Sequence, residues 1–84
     1  MNGKHRKTLA DVFDPRCRAT LEWARVEALF LAIGCQRVEG RGSRVRFVFG
    51  AHVATFHRPH PSNDAKPYQV ADARDFLMSI GVRP

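Results

Sequence analysis

The sequence predicts an α+β fold: a small three-stranded antiparallel sheet with two helices on one face, in the order α-β-β-β-α. Three observations carry this expectation. Apolar residues recur at helical spacing from Trp23 to Ile33 and again from Val70 to Ile80. Between these stretches the period falls to two, as in Val45, Phe47 and Phe49. A length of 84 residues leaves room for one domain and excludes a multidomain enzyme.

At the start of the chain, Met1 to Lys7 carries Lys4, His5, Arg6 and Lys7 and no apolar residue after Met1, so it reads as a mobile basic tail. Thr8 is placed to cap a short helix through Phe13, which Asp14-Pro15 would end. Residues 1–20 are thus expected to be a tail with a short helical extension, and 21–84 the domain. The first long helix is expected over Leu21 to Ile33, with Trp23, Val26, Leu29, Phe30 and Ile33 forming its apolar stripe and Gly34 ending it. Glu22 and Glu27 read as solvated or dipole-compensating carboxylates, as do Asp72 and Asp75 on the last helix.

Cys35 to Glu39 is short and mixed, and Gly40-Arg41-Gly42 is a flexible turn. Arg44 to Phe49 then reads as a half-buried strand with Arg44 and Arg46 on its outer face. Gly50-Ala51 fits a two-residue type II′ hairpin, because glycine occupies the first central position. That loop pairs Phe49 with His52 and Arg44 with His57, putting the side chains of Arg44 and His57 on one sheet face. His57 to Pro67 contains three prolines and reads as a surface connection. Val70, Ala73, Phe76, Leu77 and Ile80 mark the closing helix, ended by Gly81.

Fourteen Lys and Arg against eight Asp and Glu give a formal charge of +6, and eleven of the fourteen are Arg. The planar guanidinium forks onto paired oxygens, so a polyanion is the expected partner, with a merely soluble basic surface as the plainer alternative. Two cysteines, Cys17 and Cys35, are too few for a disulfide framework and form no Cys-x-x-Cys pair. A reducing cytoplasm fits this usage. The sequence has no run of signal-peptide or membrane-spanning character. No membrane association and no small-molecule cofactor are expected.

The strongest constellation is Arg41-Gly42-Ser43-Arg44-Val45-Arg46, where glycine-flanked backbone N–H groups and guanidinium groups can converge on phosphates. An edge charged against aggregation is the structural alternative. In His57-Arg58-Pro59-His60-Pro61, histidine can take a proton from a ribose 2′-hydroxyl or give one to a leaving oxygen, whereas loop histidines are also often merely solvated. A metal site is not expected, because His52, His57 and His60 lack a fourth ligand at suitable spacing. Cys35 reads as a small core residue, and Trp23, Phe30, Phe76 and Leu77 as core by their period.

The helix-strand-strand-strand-helix order resembles the HicA family of small bacterial toxins. The pieces that carry it are Trp23-x-x-Val26-x-x-Leu29 running to Ile33-Gly34, the Gly40-Arg41-Gly42-Ser43 turn with Phe47, Pro59-His60 after the third strand, and Val70-x-x-Ala73-x-x-Phe76-Leu77-x-x-Ile80-Gly81. The likeness covers about Glu22 to Val82. It implies a fold similar to the double-stranded RNA-binding domain, metal-independent cleavage of mRNA, and silencing by a HicB-like antitoxin. The family pattern is Gly-Ser-His at the start of the second strand, and its ribonuclease activity depends on that histidine. This chain has Gly42-Ser43-Arg44 instead. The resulting assignment makes His57 the proton shuttle and Arg44 the charge stabiliser, with Ser43 and the Gly42 backbone holding phosphate. Arg41, Arg46, Arg58, His60 and Lys66 would line the RNA path. The alternative is a module that binds RNA or a partner without cutting.

Overall fold

The computed structural model describes residues 1–16 and 20–84, so the reading of Cys17 lies outside the described residues. Six elements follow in chain order: α1 (Gly3–Phe13), α2 (Trp23–Ala32), β1 (Gln36–Glu39), β2 (Arg44–Phe49), β3 (His52–His57) and α3 (Pro67–Ser79). The expected α-β-β-β-α order is present from α2 to α3, and the three strands form one antiparallel sheet in the order β1-β2-β3.

The N-terminus departs from the sequence expectation. Met1 to Lys7 is not a free tail, because the helix starts at Gly3, where the Asn2 side chain accepts the His5 N–H at 2.9 Å. Thr8 lies inside the helix, buried, and its hydroxyl donates to the Lys4 carbonyl. Leu9 and Val12 join the same buried cluster as the sheet and the other helices, while Lys4, Arg6 and Lys7 stay exposed. One buried face is enough to order a helix whose other positions are charged. Arg25 of α2 reaches Thr8 Oγ1 and Asp11, and Arg74 Nε of α3 donates to the Val12 carbonyl, so both later helices hold α1.

Helices α2 and α3 end alike. The Cys35 N–H donates to the Phe30 carbonyl and the Gly34 N–H to Leu31, while the Val82 N–H donates to Leu77 and the Gly81 N–H to Met78. This is the Schellman pattern, and it requires a left-handed residue that Gly34 (φ 103°) and Gly81 (φ 80°) supply. The same turn carries Cys35 into the core, where burial pushes its thiol up, away from the reactive thiolate form.

Phe30 ties the layers together. Its ring lies 4.9 Å from Phe47 of β2, 5.8 Å from Phe56 of β3 and 5.4 Å from Phe76 of α3, centroid to centroid. Val45, Phe47 and Phe56 therefore face the helices, and the alternating positions Arg44, Arg46, Thr55 and His57 stand exposed on the other side. The hairpin register is the expected one, with Phe49 opposite His52 and Arg44 opposite His57. Gly50 has φ 60° and no non-glycine residue is left-handed among those described, as the type II′ turn demands.

The connection from β3 to α3 is a surface loop, as read, but an anchored one. Its Asn63 carbonyl accepts the Trp23 N–H at 2.9 Å, and its Ala65 N–H donates to the Leu21 carbonyl at 2.7 Å. The loop is also shorter than expected, because Pro67 opens α3 at a position where a missing N–H costs nothing.

Candidate nucleic-acid interface

The exposed sheet face is built by the β2–β3 register. The Arg58 N–H donates to the Ser43 carbonyl at 2.8 Å, which makes that pair hydrogen-bonded and leaves Arg44 and His57, one step in, as a non-hydrogen-bonded pair. Side chains approach most closely at such pairs. Arg44 and His57 are therefore neighbours on the open face, with Arg46 and Thr55 paired alongside on that same face.

Arg41, Arg44, Arg46, Thr55 and His57 line one open cavity of about 480 Å³ together with Glu39 and Gly40. Among the described residues, none of the three arginines has a carboxylate partner. The turn that delivers Arg41 is tight: the Gly40 N–H donates to the Arg44 carbonyl at 2.9 Å, and the Arg44 N–H to that of Arg41 at 3.1 Å. A Cβ on Gly40 would lie 3.0 Å from Arg44 Cβ and 3.1 Å from its carbonyl oxygen, so any larger residue would push Arg44 away by a few tenths of an ångström.

Of the residues singled out by sequence, the structure brings Arg41, Arg44, Arg46 and His57 into this cavity. The others lie apart. Gly42 and Ser43 are exposed in the turn before β2 but are not part of the lining. His60 and Lys66 are exposed in the loop, also outside it.

Arg58 points its guanidinium to two carboxylates instead. Its Nε donates to Glu27 Oε2 at 2.8 Å, and its Nη1 and Nη2 donate to the two oxygens of Glu39 at 2.7 and 2.9 Å. These partners raise its pKa further, so it stays a fixed cation.

Glu27 corrects the reading of a solvated helix carboxylate. It is buried and accepts from Arg58, from Arg37 and from the Trp23 indole N–H. Burial alone would raise its pKa, but the hydrogen bonds from Arg58 and Trp23 and the Arg58 charge outweigh that and hold it below the usual carboxylate range. Glu39 is likewise lowered, chiefly by its hydrogen bonds from Arg58, with Arg37 adding its charge. Glu39 borders the arginine cavity, so Arg58 offsets the negative charge nearest to it.

Sequence reasoning missed Glu39, Glu27, Thr55 and Gln69. Thr55 was within reach, since the same hairpin register pairs it with Arg46. Gln69 sits three residues after Lys66, at a helix-start position suited to capping, and its Oε1 accepts the Lys66 N–H. Trp23, four residues before Glu27, is a local partner at helical spacing, but Arg58, which joins Glu27 to Glu39, is distant in sequence.

A three-stranded sheet, helices packed on one face and arginines beside a histidine on the other define a small α+β protein with an open basic face. The family model described as the HicA toxin of bacterial toxin-antitoxin matches residues 23–78, two-thirds of the chain, from the first residue of α2 almost to the end of α3. The chain belongs to this family and is a toxin of a toxin-antitoxin system. No curated protein and no solved structure matches it. Helix α1 lies outside the matched residues. Among the described residues, no helix is long and apolar enough to cross a membrane.

Proposed function

We propose that this toxin binds and cleaves mRNA without a metal ion, arresting translation and growth in the cytoplasm, and that a HicB-like antitoxin neutralises it. The observation that carries the reading is the adjacent, non-hydrogen-bonded pair of Arg44 and His57 in a cavity also lined by Arg41 and Arg46. His57 takes the proton from a ribose 2′-hydroxyl, whose oxygen then attacks the neighbouring phosphorus. The bond from phosphorus to the 5′-oxygen breaks, leaving a 2′,3′-cyclic phosphate, and the departing oxygen takes a proton from solvent. Arg44 stabilises the extra negative charge on the phosphoryl oxygens as it develops. Arg41 and Arg46 hold the flanking phosphates, and Ser43 and the Gly42 backbone support the phosphate chain at the turn.

A second reading is favoured by Arg44 itself, which stands where the family pattern has histidine. In that reading the face binds RNA, or an acidic partner, and leaves RNA whole. Purified protein and its His57→Ala variant, each incubated with a long single-stranded RNA in EDTA, separate the two on a denaturing gel. Cleavage by the parent protein, lost in the variant with folding intact, supports the ribonuclease. Intact RNA in both lanes, with a shift on a native gel, supports the binding module.

A further inference from the structure

We propose that Gln69 is a positioning residue for His57, an inference that rests on the ribonuclease reading above. β3 is an edge strand, and His57 belongs to a non-hydrogen-bonded pair, so its backbone carbonyl points away from β2. Left alone, that carbonyl could be bonded only by solvent.

Gln69 prevents this. Its Nε2 donates to the His57 carbonyl at 2.6 Å, while its Oε1 accepts the Lys66 N–H at 2.9 Å. The side chain is only 2% exposed, so both ends of the amide are used in a place where an unmade bond is costly. One amide thereby joins the start of α3 to the residue that carries the imidazole. On the other flank, Arg58 is clamped to Glu27 of α2 and Glu39 of β1, and its N–H is bonded to Ser43. The backbone of His57 is thus fixed on both sides, which leaves the ring's own torsions as its remaining freedom beside Arg44. A proton-transfer group displaced by about 1 Å loses up to roughly a hundredfold in rate, so fixing this backbone bears directly on turnover.

The test compares four proteins: wild type, His57→Ala, Gln69→Met and Pro67→Ala. Gln69→Met keeps the buried volume but removes the bond to His57. Pro67→Ala weakens the same helix start without uncapping the carbonyl. Steady-state cleavage of a defined RNA, affinity for that RNA and thermal unfolding are measured for each. The expected result is a folded Gln69→Met protein whose kcat falls roughly tenfold to a hundredfold, with KM and RNA affinity within about twofold of wild type. Pro67→Ala should cleave at the wild-type rate. If Gln69→Met does not fold, Gln69→Ala takes its place, since it also removes the amide donor and leaves room for water at the His57 carbonyl and the Lys66 N–H.

Wild-type turnover in the Gln69 variant, with His57→Ala inactive, would overturn the inference and leave the ribonuclease reading standing. Equal losses in the Gln69 and Pro67 variants, tracking stability, would also overturn it by reducing Gln69 to a helix cap. RNA left intact by the wild type would overturn both the reading and the inference.

Discussion

Glu27 is the residue on which the charged side of the fold depends. It is buried in the middle of α2 and accepts hydrogen bonds from Trp23, Arg37 and Arg58. Removing it leaves the indole N–H and a partly buried guanidinium without their common partner. Loss of one member of a buried pair costs about 3–5 kcal/mol, and the one-third exposure of Arg58 puts Glu27→Ala nearer about 2–3 kcal/mol. Urea unfolding at neutral pH measures this. The same site predicts acid sensitivity. Because the folded pKa values of Glu27 and Glu39 are lowered, their stabilisation is complete above the unfolded carboxylate range, near pH 4.5, and is lost as pH falls through the lower folded values. Stability should therefore drop on acidification below about pH 4.5, and Glu27→Gln should flatten that drop.

Among the elements, α1 is the one whose removal gives the clearest prediction. It contributes Thr8, Leu9 and Val12 to the buried set and is held by Arg25 and Arg74 from the helices beneath it. Deleting residues 1–14 exposes the apolar surfaces of α2 and α3 that these side chains cover. The transfer scale for two large aliphatic side chains gives a loss of at least about 3 kcal/mol, visible as a lower midpoint in thermal or urea unfolding. An unchanged midpoint would mean that residues 21–84 fold independently of α1. This helix was also the least legible part of the sequence. Lys4, Arg6 and Lys7 drew attention to charge, whereas the ordering comes from the Asn2 cap and from contacts with residues far along the chain. The hairpin was legible for the opposite reason. Gly50 and the alternation of Val45, Phe47 and Phe49 are local, and together they set the register that brings Arg44 to His57. Arg58 reads as part of the RNA path because its charge is visible in sequence, while the carboxylates that engage it, on α2 and β1, become its neighbours only after folding.

Over the whole molecule, the net charge of +6 is unevenly available. Lys7, Arg25, Arg37 and Arg58 are each paired with a carboxylate; of the cations without one among the described residues, Arg41, Arg44 and Arg46 are gathered in one open cavity. A polyanion should therefore be held locally and not by the surface at large. Each phosphate neutralised on a single strand contributes about −0.7 to the slope of log K against log salt, so three arginine contacts predict a slope of about −2. Arg41→Ala and Arg46→Ala should each make that slope shallower by about 0.7. Arg83→Ala, an exposed cation outside this cavity, should leave it unchanged. Fluorescence titration of a short labelled RNA across a salt series reads all three variants against wild type. Equal changes for Arg83 and Arg41 would mean that RNA meets a diffuse basic surface, and the sheet face would lose its claim to be the binding site. A change confined to Arg41 and Arg46 would put the phosphate chain beside His57, where a strand held in the cavity presents its ribose to the imidazole.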